Sequence, residues 1–344
     1  MPFQASIAQS LPYTTAASEF LYGFSSVLAA IKAGRRKLYK LYLHNRGLSH
    51  AGKDAVVARA KAARVNIQEV GDEYLRAMDK TSSGRPHNGF ILEASPLPVP
   101  PIIELRSSSV PHATFEVSLD AQTREEAQVN GTQEEYTYTS AGWRHPLVLC
   151  VDGVLDEGNL GAIARSAYFL GVDAIVTPTR QSAPWSHITL KASAGAAEAI
   201  PIFKTNQSSE FLGRSARKGW RIYASDAIPP AEQPALSAGS SSNQQPLANF
   251  ASSIIYTYAR SAKRLPTDHC PVDNHPTILM MGAEGSGLRT SLLNQAHYKV
   301  GIRHGRDVDE VGVDSLNVSV AASLLCYQML QKPKPVRRSG DFLF

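Results

Sequence analysis

Residues Val151 to Gly171 read VDGVLDEGNLGAIARSAYFLG. A strand ends in an acidic, glycine-rich turn, and a helix is expected to start near Asn159, with Leu160, Ile163, Ala164 and Ala167 on one face. Asn159 is well suited to cap that helix, and capping alone would account for it. Arg165 lies beside the buried stripe rather than within it. It reads either as a plain surface charge or as a guanidinium fork held at a phosphate.

Outward from this unit, short apolar strands alternate with helices: Leu147–Val151, Ala174–Thr177, Ile200–Phe203, Trp220–Ala224, Thr277–Met281 and Tyr298–Ile302. Such alternation predicts a mostly parallel sheet covered by helices on both faces. In Ile278 to Leu288, ILMMGAEGSGL, an apolar strand runs into a turn where Gly282, Gly285 and Gly287 surround Glu284. Glycines let a backbone approach a ligand, and exposed N–H groups cradle an anion. The spacing fits neither a dinucleotide fingerprint nor a nucleoside-triphosphate loop. In Asp314 to Leu330, DSLNVSVAASLLCYQML, Ser315 is placed to cap a helix that buries Val318, Ala321, Ala322, Leu325 and Met329. Asn317 sits in its first turn, where core packing gives no reason for it. The small residues Ser319, Ala321, Ala322 and Ser323 would let this helix pack close to another backbone.

The chain of 344 residues is long enough for two cores. No apolar run reaches the roughly 18 residues of a membrane span. Three cysteines without a CxxC pair argue against both a disulfide framework and a zinc site. Cys150 and Cys326, in apolar runs, read as buried inert thiols. The net charge of +5 makes an anionic partner plausible, and residues 1–94 carry the whole excess, with 13 Lys/Arg against 7 Asp/Glu. Residues 19–95 read as a small α/β domain: a helix with Val27, Leu28 and Ile31, stopped by Gly34, then strand and helix, then a closing strand at Phe90. Its basic edge is Arg35, Arg36, Lys37 and Lys40. Residues 96–144, with prolines at 96, 98, 100 and 101 and then a polar stretch, read as a linker with little core. Residues 145–332 form the larger domain, interrupted at 226–276 by a polar surface insertion expected to be partly disordered. Met1 to Ser18 carries no Lys or Arg and so gives no readable targeting address.

The ordered segments GNLGAIARSA, GAEGSGL and SLNVSVAASLL resemble the three motifs of the SpoU/TrmH family of RNA ribose 2'-O-methyltransferases. KASAGAAEAIPIF (Lys191 to Phe203) resembles the family's segment between the first two. EFLYGFSSVLAAIKAGRRKLYKLYL, closing with HNGFILEA, resembles the ribosomal-protein-like substrate-binding domain of members that act on ribosomal RNA. The resemblance implies a SPOUT-type α/β domain with a C-terminal trefoil knot, a feature that composition would never suggest. It implies S-adenosyl-L-methionine as cofactor, held against backbone at Gly282, Ile302 and Leu316. It implies Asn159, Arg165, Glu284, Ser315 and Asn317 as catalytic residues, Arg35, Arg36, Lys37 and Lys40 as RNA-binding, and a homodimer through the knot region. The expected reaction is methylation of a ribose, of a guanosine, in large-subunit ribosomal RNA. A tRNA substrate, or a catalytically silent RNA-binding assembly factor, stays open beside it. The chain departs from the family in its longer, charged segment Ile302 to Asn317, in Asp314, in Asn88 where Gln is common, and in its insertion. Linker and insertion resemble fungal mitochondrial members more than bacterial ones, and a mitochondrial location is expected on that ground alone.

Overall fold

A computed structural model describes residues 8–45, 51–226, 254–261, 263–304 and 311–333. In the N-terminal domain, strands β1 (Glu19–Tyr22), β2 (Leu38–His44), β3 (Asn66–Val70) and β4 (Phe90–Ala94) form a sheet in the order β1-β4-β2-β3, in which only β2 and β3 run parallel. Side chains alternate across a strand, so Leu21, Leu41, Leu43, Phe90 and Leu92 pack with Val27, Ala30 and Val56 of the helices Phe24–Ala33 and Lys53–Ala62. Their neighbours Phe20, Tyr22, Tyr42 and Ile91 pack on the other face with Ala77 and Met78 of the helix Leu75–Thr81. The apolar runs FLY, LYL and FIL are continuous because both faces are covered. Gly34 ends the first helix in the expected left-handed conformation.

The segment expected to be a linker has a core. Strands β5 (Ile102–Ser109), β6 (Thr114–Leu119) and β7 (Glu135–Thr137) form an antiparallel sheet, with a helix Arg124–Asn130 whose capping box joins Thr123 and Glu126. Ile102, Leu105, Phe115 and Val117 alternate inward against Phe203, Phe211 and Trp220 of the larger domain. The Trp220 indole donates to the Arg106 carbonyl at 2.7 Å. The prolines sit upstream of this alternation and mask it. A buried Arg144–Asp173 pair then fixes the chain where it enters β8 (Leu147–Val151), Asp173 also accepting the Leu147 N–H.

β8 belongs to a seven-stranded sheet with β9 (Ala174–Pro178), β10 (Ile202–Thr205), β11 (Arg221–Ser225), β12 (Ile254–Tyr258), β13 (Thr277–Met281) and β14 (Tyr298–Ile302). The order is β10-β9-β8-β13-β11-β14-β12, parallel except for β12. The α/β, mostly parallel architecture expected from the sequence is therefore found. Leu147, Leu149 and Val151 face the helices Glu157–Leu170 and Val318–Met329, while Val148 and Cys150 face Phe211 and Leu212 of the helix Ser208–Arg217.

The expected insertion 226–276 is corrected in part. Residues 254–258 are edge strand β12, and Tyr256, Cys270 and Val272 are buried. Alternation in IIYTY lets one face pack while the strand covers the edge of β14. Residues 227–253 lie outside the described residues.

Arg35 and Arg36 are also corrected. The Arg36 side chain is wholly buried and grips the equally buried Glu198 through two bonds, 2.8 and 2.9 Å long, with further bonds to Glu19 and the Ser95 carbonyl. Arg35 donates to the carbonyls of Glu198 and Ile200, and burial lowers its pKa. Both arginines bind one domain to the other rather than facing solvent. Gly195, at φ +95°, completes the junction: a side chain there would overlap Ala29 and the Ser25 carbonyl. Lys37 is exposed and Lys40 half-buried, each beside a tyrosine ring.

Candidate active site

Open parallel sheets bind ligands beyond the carboxyl ends of their strands, where successive connections diverge. Here that point lies between β8 and β13, which are paired side by side although far apart along the chain, with Cys150 opposite Met280 in the ladder. The chain leaves β8 toward β9 and β10, whereas β13 borders β11, with β14 beyond it. The turns after β8 and after β13 are the two motif segments read from the sequence.

Asp156 caps the helix Glu157–Leu170, its carboxylate accepting the Asn159 N–H. The cap is thus three residues earlier than expected, and the Asn159 side chain is released for other contacts. Its Nδ2 donates to Glu284 at 3.2 Å, and its Oδ1 accepts from Asn317 Nδ2 at 3.0 Å. Asn317 Nδ2 also donates to the other Glu284 oxygen at 3.0 Å. One residue from each motif therefore joins a closed triangle of hydrogen bonds.

Asn317, not Ser315, caps the last helix, its Oδ1 accepting the Ser319 N–H. A single side chain thereby starts the helix with its carbonyl oxygen and holds the cluster with its amide nitrogen, which explains a polar residue where packing gave no reason for one. Ser315 is exposed, and its hydroxyl donates to Asp314 at 2.9 Å. The helix buries Val318, Ala322, Leu325, Cys326 and Met329, with Ala321 only partly covered.

Arg165 does not join the triangle. It stands six residues beyond Asn159, and at about 100° per residue that turns it roughly 120° around the helix. It is exposed, on the face that carries the exposed Tyr168 and Phe169. Gly282 is buried where the loop after β13 closes on itself: Ala283 and Gly287 exchange two backbone hydrogen bonds, and a side chain at Gly282 would overlap the backbone of Gly287 and Leu288. Ile302 ends β14, and Leu316, adjoining Asn317, is 46% exposed.

Sequence reading missed the anchor of this loop. Asp152, at the carboxyl end of β8, is buried, takes both carboxylate bonds from Arg289 at 2.8 Å and accepts the Ser208 hydroxyl at 2.7 Å. The available signal was an Asp ending an otherwise apolar strand and an Arg directly after GAEGSGL. Cys150 beside it is an inert thiol whose pKa burial raises, and burial pushes that of Cys326 up to about 12.

A parallel α/β domain with a polar triangle at its switch point, docked to a small α/β domain, defines the class of protein. The chain matches the SpoU rRNA Methylase family over residues 146–327 and the RNA 2'-O ribose methyltransferase substrate-binding family over residues 20–100. The mitochondrial rRNA methyltransferase 1 of Schizosaccharomyces pombe is 31% identical over 315 residues, which span 91% of this chain and 90% of that protein. A 23S rRNA (guanosine-2'-O-)-methyltransferase of Pseudomonas aeruginosa is 24% identical, over 92% of this chain and 98% of its own. The crystal structure of an AdoMet-bound rRNA methyltransferase from Sinorhizobium meliloti shares the fold, with a TM-score of 0.54 and 19% identity over 91% of this chain and 87% of that one. The chain belongs to the SpoU rRNA methylase family, as its three motifs implied.

Proposed function

We propose that this chain transfers the methyl group of S-adenosyl-L-methionine to the ribose 2'-hydroxyl of a guanosine in mitochondrial large-subunit rRNA. The observation that carries this reading is the convergence of Asn159, Glu284 and Asn317, from three distant motifs, on one hydrogen-bonded triangle at the sheet's switch point. Family membership supports the chemistry, and the relatives' names support the substrate and the mitochondrial location.

The residues fit the cofactor. The tightly closed loop at Gly282 leaves backbone rather than side chains at the carboxyl end of β13, and Val311, Val313 and Leu316 leave apolar surface exposed on the segment that reaches the triangle. Gly282, Ile302 and Leu316 would hold it. When bound, it supplies a methyl group already activated by the positive charge on its sulfur. The protein's remaining task is to place the acceptor in line. A guanidinium is too weak an acid to serve as the base. Arg165 therefore works by holding an RNA phosphate and stabilising the negative charge that develops on the 2'-oxygen. Ser315 acts as a hydroxyl donor or acceptor beside the triangle.

Two features of the family complete the reading: the trefoil knot formed by the C-terminal segment, and a homodimer. The packed helices Glu157–Leu170 and Val318–Met329 leave Tyr168, Phe169, Val320, Leu324 and Tyr327 exposed, Phe169 at 86%. Residues 320, 324 and 327 follow helical spacing, a continuous apolar stripe. A second copy covers such a surface, and it brings Arg165 to the interface rather than to its own chain's triangle.

The test is ribose-methylation mapping of mitochondrial large-subunit rRNA with and without the gene, and with an Arg165→Ala variant. One 2'-O-methyl mark should vanish without the gene and stay absent in the variant, while the purified variant binds S-adenosyl-L-methionine as wild type does. No change in any rRNA mark overturns the substrate; a mark restored by Arg165→Ala overturns the role of Arg165.

A further inference from the structure

A cleft of about 630 Å³ lies where the substrate-binding domain meets the catalytic domain. Pockets that hold small ligands typically measure about 300–1,000 Å³. Arg85 lines it from the N-terminal domain, Lys191 and Ile188 from the helix His187–Ala192, and Asp156 and Glu157 from the turn that opens the helix Glu157–Leu170. That turn also leads to Asn159, so the cleft adjoins the polar triangle.

Two cations line this cleft, the half-buried Lys191 and the exposed Arg85. Lys191 is half-buried, with its ammonium 5.9 Å above the Tyr22 ring and against Gly23, where any side chain would overlap it. Burial lowers its pKa. The buried Tyr22 hydroxyl has the Arg85 guanidinium as its polar neighbour but no partner in hydrogen-bond geometry. Among the described residues neither cation forms an ion pair with a carboxylate. Lys191 is a partly desolvated charge without a carboxylate partner, which is costly, and with the exposed Arg85 beside it the cleft is a candidate for an anion supplied from outside. The carboxylates have other tasks: Asp156 caps the helix, and Glu157 accepts the Ser186 hydroxyl at 2.9 Å. Each uses one oxygen, which leaves the other as an acceptor.

We infer that this cleft holds one nucleotide of the RNA substrate, its phosphate between Arg85 and Lys191 and the N–H edge of its base toward Asp156 and Glu157. The inference rests on the RNA-methylating reading above. The mixture of charges favours a nucleotide over free phosphate: two carboxylates repel a bare anion, whereas base N–H donors need acceptors. Because the cations come from different domains, the cleft also gives the domain junction a purpose.

The experiment uses the full chain as wild type, Arg85→Gln, Lys191→Gln and the double variant. Binding of a labelled single-stranded RNA and of a large-subunit rRNA transcript is followed by fluorescence anisotropy over a salt series, with S-adenosyl-L-methionine affinity measured by calorimetry. Each single variant should weaken RNA binding about three- to tenfold and lower the salt slope by about 1, raising KM more than it lowers kcat. Cofactor affinity and thermal midpoint should stay as in wild type. A double variant with wild-type RNA affinity and slope overturns the cleft assignment and leaves the methyltransferase reading standing. A wild-type chain that binds cofactor yet neither binds nor methylates RNA overturns both. Variants that lose cofactor binding or thermal stability overturn it too, by making the two cations structural.

Discussion

Arg289 places one guanidinium nitrogen 2.8 Å from each carboxylate oxygen of Asp152, across the gap between the turns after β8 and β13. Asp152 is 3% exposed, and its backbone N–H is bonded to the Met281 carbonyl. The pair therefore pins the far end of the Gly282–Leu288 loop to the strand from which the Asn159 turn departs. Glu284 stands in the middle of that loop, so its reach to Asn159 and Asn317 depends on both ends being fixed.

Asp152→Asn keeps the shape and removes the charge. Truncating one member of a buried pair costs about 3–5 kcal/mol; Arg289 is half-exposed and recovers part of this from water, so a loss of about 1–2 kcal/mol is expected here. Turnover should fall at least about tenfold, because the triangle loses its register. Cofactor affinity should fall with it, since Gly282 belongs to the same loop. Single-turnover methylation with calorimetry and thermal unfolding checks this. Turnover unchanged at equal stability would show that Asp152 has no part in positioning the loop.

How legible this site was depended on the range of the interactions. The strands and the buried faces of both site helices followed from local apolar runs, and the observed sheet keeps them. Asn317 was singled out because its polarity lacked a packing reason and Asn159 as a cap, but the caps themselves were misassigned, to Asn159 rather than Asp156 and to Ser315 rather than Asn317. Asp156 and Asn159, like Ser315 and Asn317, are all competent caps, and only the backbone's turning point decides between them. The triangle itself joins residues 125 and 158 positions apart, beyond any local pattern. Arg165 matched its motif, yet helical phase points it away from the triangle. For Arg35 and Arg36, composition gave a basic edge and could not tell a solvated cation from one whose acceptor, Glu198, lies 162 residues along the chain.

That last distinction yields a contrast between neighbours. Arg36→Ala leaves the Glu198 carboxylate, 1% exposed, without its bidentate partner. A loss of about 3–5 kcal/mol is expected, seen as a large drop in thermal midpoint. Glu198→Gln should cost less, since its amide oxygen still accepts one of the two bonds. Lys37→Ala together with Lys40→Ala should leave stability within about 0.5 kcal/mol and instead reduce the salt dependence of RNA binding. Equal thermal midpoints for Arg36→Ala and wild type would show that the domain junction does not rely on this pair.

Acid should weaken the fold through the edge of the sheet near β14. The Tyr223 hydroxyl lies 2.9 Å from His269 Nε2 and 3.0 Å from His275 Nε2, and the ring of Tyr298 stacks on both Tyr223 and His275. Burial, then the charge of Arg221, lowers the His275 pKa to about 4, and further histidines at 269, 145 and 297 press the same way. The folded state thus prefers neutral imidazole more strongly than the unfolded chain, whose histidines titrate near 6.5. Below that value the unfolded state binds more protons, so stability falls with pH. The contribution is complete above about pH 6.5 and is lost as pH falls through the folded value of about 4. His269 and His297, also lowered by burial, steepen the loss. Denaturant midpoints measured between neutral pH and pH 4 should decline across this window, and His275→Gln, which cannot be protonated, should flatten the decline. An equally steep decline in that variant would place the acid sensitivity elsewhere in the molecule.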